Sequence, residues 1–224
     1  MNASYLDNFK NVVRGDCFIS PTLLEFASSI LKKYPSHSLI EFGCDQGDLL
    51  SKLDASQKIG IDLSPSAISL AKSKFPDLEF HVHNALVPLE QKADILLDSH
   101  LYHCLVFKEE RLSYLKNLKN SLNTKGKVLI ECLGEPVEKN WLHLLHNESG
   151  QIWAETMNQN LHGLVQMNQR FFLPFRTFFT HDSEAEIKLS GLRIESLFYS
   201  PLEFEFTIMG EKLIAPLVRL TLGH

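Results

Sequence analysis

Two glycines, two acids and an amide stand where a chain can build a cradle for a small ligand. An apolar run, Ser38 to Phe42, carries Glu41 near its end and leads into Gly43-Cys-Asp-Gln-Gly47 and a helical stretch through Leu53. Gly43 and Gly47 let the backbone approach a ligand and adopt conformations that a Cβ forbids. The helix that follows offers free N–H groups and the positive end of its dipole to an anionic group. Asp62, nineteen residues after Gly43, ends the next apolar run, where a carboxylate accepts both hydroxyls of a ribose. Asn84-Ala85 closes the run after that and offers a side-chain amide and a backbone N–H to an adenine edge. These stations fall at consecutive strand ends, on the edge where open α/β sheets bind ligands.

The elements that position them alternate. Ser20-Pro21 opens a helix with Leu23, Leu24, Ala27, Ile30 and Leu31 on one face, serine capping and proline at the first helical position. Strands are predicted over Ser38–Phe42, Lys58–Asp62, Leu78–His83, Ala93–Asp98 and Lys127–Leu133. Ser64-Pro65 starts a helix running to about Phe75, Glu109–Leu122 is amphipathic, and Asn123–Gly126 is a turn into the fifth strand. Apolar strands alternating with helices imply parallel pairing with helices on both faces. Beyond Leu133 the reading is a helix over Glu138 to about Leu161 that buries Trp141, Leu144, Leu145 and Trp153. The phenylalanine-rich Arg170–Phe179 is read mostly as a core strip, with a pocket wall or lid as the other reading. A helix from Asp182 to Ser190 ends at Gly191, and strands Leu192–Tyr199 and Leu217–Leu222 close the sheet.

Length and composition set the class. The chain has 224 residues, 44% hydrophobic and 22% charged, and sums to a net charge of −5. That composition is globular, and 224 residues are enough for one domain with one sizeable core. No basic block forms the footprint of a nucleic-acid or anionic-membrane binder. Cys17, Cys44, Cys104 and Cys132 are widely spaced and read as reduced thiols rather than a disulfide framework. The first fourteen residues lack an apolar core of the signal-peptide kind, so a cytoplasmic location is expected.

Leu39-Ile-Glu-Phe-Gly-Cys-Asp-Gln-Gly47 with Ile59-Gly-Ile-Asp-Leu-Ser-Pro65 resembles motif I and the acidic motif after it in class I S-adenosylmethionine-dependent methyltransferases. Ala93-Asp-Ile-Leu-Leu-Asp-Ser-His-Leu-Tyr-His-Cys-Leu105 resembles that family's fourth motif, and Leu115–Glu131 its fifth strand with the turn before it. The likeness runs in order from about residue 36 to residue 133. It implies a Rossmann-like, mostly parallel seven-stranded sheet with helices on both faces and an antiparallel C-terminal strand. It also implies one methyltransferase-like domain over residues 1–224, with an N-terminal helical segment 1–35 and a substrate-side insert 135–180. The cofactor implied is S-adenosyl-L-methionine, bound by Glu41, Gly43, Cys44, Gly47, Asp62, Leu63, Asn84, Ala85, Asp98 and Ser99. A nicotinamide-dinucleotide fold would need G-x-G-x-x-G, but Asp45 and Asp48 take two of its three glycine positions.

The implied activity is methyl transfer to a small-molecule acceptor. The alternatives are a protein methyltransferase and a non-catalytic S-adenosylmethionine-binding protein, the latter because Asp45 replaces the middle glycine of the family's motif. No nucleic-acid, membrane or metal partner is expected; His100, His103 and Cys104 lack the remote ligand cluster a zinc site uses. His103 is expected to face the acceptor as a base or hydrogen-bonding group, with a packed core histidine as the competing reading. Tyr5, Phe9 and Arg14 are candidates to complete the acceptor pocket from the N-terminal side.

Overall fold

Short apolar runs bounded by glycine, proline and serine do fold here as buried parallel strands joined by helices. The computed structural model describes residues 5–9, 19, 21–33, 37–135, 144–146, 151–208 and 211–224. A 3-10 turn, Tyr5–Phe9, precedes α1 (Pro21–Lys33), β1 (Ser38–Phe42), α2 (Asp48–Lys52), β2 (Gln57–Asp62), α3 (Pro65–Lys74), β3 (Glu79–Val82) and β4 (Ala93–Ser99). A second 3-10 turn, Tyr102–Cys104, leads to α4 (Lys108–Ser121) and β5 (Leu122–Leu133). Then come β6 (Leu144–His146), β7 (Gln151–Thr156), β8 (Val165–Met167), β9 (Arg170–Thr177), α5 (His181–Ser190), β10 (Arg193–Ile208) and β11 (Glu211–Gly223).

The main sheet has seven strands in the order β10-β11-β5-β4-β1-β2-β3. Strands β3, β2, β1, β4 and β5 are mutually parallel, β11 runs antiparallel to β5, and β10 antiparallel to β11. This is the Rossmann-like sheet expected from the sequence. Period-two alternation divides its side chains between two cores. Ile40, Phe42, Leu96, Val128 and Ile130 pack with Tyr114, Leu115 and Leu118 of α4 on one face. Leu39, Ile95, Leu97 and Leu129 pack with Leu23, Ala27 and Leu31 of α1 and with Ile68 and Ala71 of α3 on the other. Ser64 caps α3 as expected, its hydroxyl accepting the Ala67 N–H, with Pro65 in the first turn. Gly191 ends α5 in the left-handed conformation at φ 82°.

Three expectations need correction. The Glu138–Leu161 segment, expected as a helix, contributes β6 and β7 instead, in a separate four-stranded sheet ordered β6-β7-β9-β8. Pairing with β9 decides the matter: Trp153, Ala154 and Glu155 lie opposite Pro174, Leu173 and Phe172. The Arg170–Phe179 strip is therefore strand β9 and its exit; Phe172, Phe178 and Phe179 are buried. Asn123–Gly126, expected as a turn, lies within β5 as a bulge, since Ala93 pairs with Leu122 and Ile95 with Lys127. Asn123 fills that bulge by donating its side-chain N–H to Asp94 Oδ1 at 2.8 Å. The closing strands are also much longer than predicted and form one bulged hairpin. Ser20, Trp141, Arg14 and Cys17 lie outside the described residues, as do the side chains of Leu144 and Leu145. Cys44, Cys104 and Cys132 are buried free thiols. No helix among the described residues is long and apolar enough to cross a membrane.

A buried ion pair ties the helices to the segment after β4. Arg111 of α4 donates to Glu186 of α5 from Nε at 2.7 Å and from Nη2 at 2.8 Å. Its Nη1 donates to the carbonyls of Leu105 and Val106, and the Tyr102 hydroxyl donates to Glu186 at 3.3 Å. Arg111 and Glu186 are 4% and 2% exposed, so neither charge has water to fall back on. Arg111→Met is expected to cost about 3–5 kcal/mol in urea denaturation, because it leaves the Glu186 carboxylate buried and unpaired.

Candidate functional site

A pocket opens at the carboxyl edge of β3, β2, β1 and β4, and the residues lining it come from the ends of those strands in that order. His83, Asn84, Ala85 and Leu86 follow β3; Ile61, Asp62, Leu63 and Ser64 end β2 or follow it; Gly43 and Asp45 follow β1; Ser99, His100 and Leu101 end β4 or follow it. Leu6 of the N-terminal 3-10 turn and Leu105 add apolar wall.

Asp62 is the most firmly set polar group. Its Oδ2 accepts the Asp45 N–H at 3.0 Å and its Oδ1 the Ser64 N–H at 2.8 Å. Each oxygen keeps lone-pair capacity for a further donor, so the carboxylate is oriented but not used up. The turn that serves it depends on backbone conformation. Gly43 sits at φ 72° and its N–H and that of Cys44 both bond to the Ile61 carbonyl. Asp45, at φ 47°, takes the left-handed conformation that aspartate tolerates better than most residues. The acid at the middle-glycine position therefore turns its own N–H onto Asp62.

Glu41 lies beneath this turn, 2% exposed, and among the described residues nothing bonds its Oε2. Burial drives its carboxyl well above the usual carboxylate range. The Leu50 N–H opposes the rise, and the charges of Asp62, Asp98 and Asp45 add to it. A buried, unsatisfied acid in a ring of acids is a place that favours a cation. On the other flank, Asn84 Oδ1 accepts the Leu86 N–H at 3.0 Å, and Asn117 of α4 donates to the Ala85 carbonyl at 2.9 Å, fixing the loop after β3.

Of the expected ligand-binding residues, Gly43, Asp62, Leu63, Asn84, Ala85 and Ser99 line this pocket. Glu41, Cys44, Gly47 and Asp98 do not, and each has a different place. Cys44 is buried, with only 4% exposure. Gly47, at φ 78°, packs so tightly that a Cβ there would come within 2.5 Å of the Phe80 ring. The helix it caps, α2, has five residues, too short for the strong dipole expected of it. Asp98 is fully buried and turns its carboxylate to the Leu101 and Tyr102 N–H groups and the Tyr114 hydroxyl, the last at 2.8 Å. It caps the turn after β4. Burial pushes its carboxyl up to about 7, against the pull of Tyr114 and those N–H groups.

His103 is also placed differently from expectation. It is 5% exposed, its Nδ1 accepts the Leu133 N–H at 3.3 Å, and it is not among the pocket-lining residues. His100 lines the pocket in its place, with its ring edge-on to His103 at 5.3 Å. Sequence reasoning treated His100 only as a poor metal ligand; the signal that singles it out is backbone conformation, φ 70°, which sequence does not display. Tyr5 is buried, and its hydroxyl donates to Glu110 and accepts from the Val106 N–H. The side chain of Phe9 lies outside the described residues.

Residues 40–130 match a family described as a methyltransferase domain. No curated protein matches the chain. An S-adenosylmethionine-dependent methyltransferase from Methanosarcina mazei is 18% identical, with a TM-score of 0.63 over 92% of this chain and 99% of that one. A sugar N-methyltransferase from Streptoalloteichus is 16% identical, with a TM-score of 0.58 and coverage of 94% and 96%. An amino pentose methyltransferase from Micromonospora echinaspora, with S-adenosylmethionine bound, is 15% identical, with a TM-score of 0.56 and coverage of 93% and 99%. At these identities the likeness to solved structures is one of fold.

Two outcomes test these placements. A carboxyl whose folded pKa of about 7 exceeds its unfolded value holds its proton longer in the folded state. The stability of the wild type relative to Asp98→Asn is therefore expected to fall as pH rises from about 4 through about 7 and to level off above that, read from urea midpoints. His103→Ala is expected to lower stability by about 1–3 kcal/mol, since it leaves the buried Leu133 N–H without that acceptor.

Proposed function

We propose that this chain is a class I S-adenosylmethionine-dependent methyltransferase acting on a small-molecule acceptor, a reading supported by the methyltransferase-domain match over residues 40–130 and by the fold it shares with methyltransferases. The observation that carries the binding half of this reading is Asp62. Two backbone N–H groups fix its carboxylate over an apolar-walled pocket while leaving it able to accept a pair of hydroxyls. Gly43, Leu63, Asn84, Ala85 and Ser99 would hold the rest of the donor. The donor residues present thus fit the group. When bound, S-adenosylmethionine supplies a methyl already activated by its sulfonium. What remains for the protein is alignment and exclusion of water, so proximity carries most of the rate.

The small-molecule reading has three supports. The chain is acidic, with a net charge of −5, which disfavours a nucleic-acid acceptor. Neighbours of the same fold include a sugar N-methyltransferase and an amino pentose methyltransferase. The described residues within the expected insert 135–180 lie against the segments that border the pocket. Gln151 donates to the Val106 carbonyl, Trp153 packs edge-on to Phe107 at 5.9 Å, and Asn8 and His162 exchange two hydrogen bonds at 3.0 Å. In this reading the β6–β9 sheet and the N-terminal turn close the acceptor side of a pocket sized for a small molecule.

Calorimetry with S-adenosylhomocysteine followed by a screen of small amines, alcohols and amino sugars for its release tests both halves. Asp62→Ala removes two charge-assisted hydrogen bonds of about 1.5–3 kcal/mol each, so binding is expected to weaken at least tenfold. Unchanged affinity in a folded variant would reject the donor site. Release only in the presence of protein substrates would replace the small acceptor with a protein one.

A further inference from the structure

One part of the donor pocket's wall is not built by the main sheet. The ends of β1, β2, β3 and β4 and the segments after them supply most of the lining, while Leu6 enters it from the N-terminal 3-10 turn. The space on offer is about 120 Å³, against roughly 300–1,000 Å³ for sites that take ligands of drug size. A donor as large as an adenosyl amino acid therefore enters only when a wall gives way. The strand ends are locked in their ladders. The loop after β3 is tied to α4, where Asn117 donates to the Ala85 carbonyl and the Ser113 hydroxyl to that of Leu86 at 3.2 Å. The segment after β4 is held by Asp98 and Arg111. The N-terminal turn, by contrast, belongs to neither sheet.

Its two ends are held differently. Tyr5 is buried; its hydroxyl accepts the Val106 N–H at 2.9 Å and donates to Glu110 at 2.8 Å, and its ring stands edge-on to Phe107 at 5.5 Å. That end is an anchor. Three residues on, the Asn8 side chain donates to the His162 carbonyl and accepts the His162 N–H, each at 3.0 Å and at the surface, where water competes for both bonds. That end is a clasp, and Leu6 lies between the two. His162 stands in the loop between β7 and β8, and its neighbour Gly163 presses the same loop onto the turn. Gly163 has φ 76°, and a Cβ there would come within 2.7 Å of the Tyr5 Cβ and 3.1 Å of its Cα, so glycine is what lets the two backbones meet. Segments held by exposed hydrogen bonds open locally at far lower free energy than the buried core.

We infer that the N-terminal turn is a strap over the donor pocket: it swings about Tyr5 when the Asn8–His162 clasp opens, admits the donor, and closes with Leu6 against it. Leu6 is then a donor-binding residue, and Tyr5, Asn8 and Gly163 are its positioning residues. The inference rests on the donor-binding reading above and adds to it a gate that the β7–β8 loop controls. Closing a strap of this kind shuts water out of the site and holds the ligand in place. The clasp is made in the same way whether the pocket is filled or empty, so it slows entry and escape alike.

Surface plasmon resonance on the immobilised full chain reads the association and dissociation of S-adenosylhomocysteine separately and tests the strap. Asn8→Ala, which removes both clasp bonds, is expected to raise the two rates together, each by roughly five- to thirtyfold, and so to leave the affinity unchanged. Gly163→Ala, whose Cβ pushes the β7–β8 loop off Tyr5, is expected to show the same paired rise and serves if Asn8→Ala fails to fold. Leu6→Ala keeps the clasp and loses the contact, so dissociation is expected to rise about tenfold and affinity to fall with it. Unchanged rates in Asn8→Ala and Gly163→Ala, or a rise in dissociation alone, overturns the strap and leaves the donor site standing. Unchanged affinity in Leu6→Ala overturns the donor contact. A wild type that binds no S-adenosylhomocysteine overturns the donor-binding reading, and the strap with it.

Discussion

Confinement of β1 between β2 and β4 is the constraint on which the rest of the molecule depends. Its ladders pair Glu41 with Gly60 on one side and with Leu97 on the other, and Phe42 with Ile61 and Asp98. Both faces are buried, by Ile40 and Phe42 on one side and Leu39 on the other. A slip of one residue would exchange those faces, so the register has no near alternative. Because it is fixed, the turn after Phe42 emerges level with the ends of β2 and β4. Gly43, Asp62 and Ser99 then share one pocket although they are far apart in sequence.

The same edge carries an unusual load of buried charge, and each group is handled in its own way. Arg111 and Glu186 neutralise each other across α4 and α5 while Arg111 also satisfies two carbonyls of the segment after β4. Glu131 is balanced by Arg219 from the neighbouring strand. Asp98 is held by a hydroxyl and two backbone N–H groups. Buried pairs of this sort add little net stability over apolar packing, but losing one member is costly, so they specify one arrangement of the segment from Ser99 to Val106. That segment supplies His100, Leu101, Cys104 and Leu105 to the pocket wall.

The parallel core was legible in the sequence because serine-proline caps, short apolar runs and the Gly43–Gly47 turn all act locally. The region around Trp153 was not, because its leucines and tryptophans suit a helix as well as a strand, and the partner that decides, β9, lies some twenty residues further on. The site divides along the same line. Asp62 and Asn84 could be placed by counting from strand ends. Asp98 also stands at a strand end, but its side chain turns inward to cap Tyr102, a direction that spacing does not encode. The choice between His100 and His103 hangs on one backbone dihedral and on the register of Ser99 with Glu131, and both are products of the folded sheet.

The acids gathered around the turn after β1 have a consequence for the end of a catalytic cycle. Burial first, and then the charges of Asp62, Asp98 and Asp45, hold Glu41 toward its neutral form, and those acids set a negative field there. Such a field draws a ligand that carries positive charge and grips the uncharged remnant of the same ligand less well. Handing over the methyl group removes the sulfonium charge, so product departure is helped by the electrostatics that aided entry. Added salt, by screening the field, narrows the difference between the two, most of all at the pocket's solvent-facing mouth.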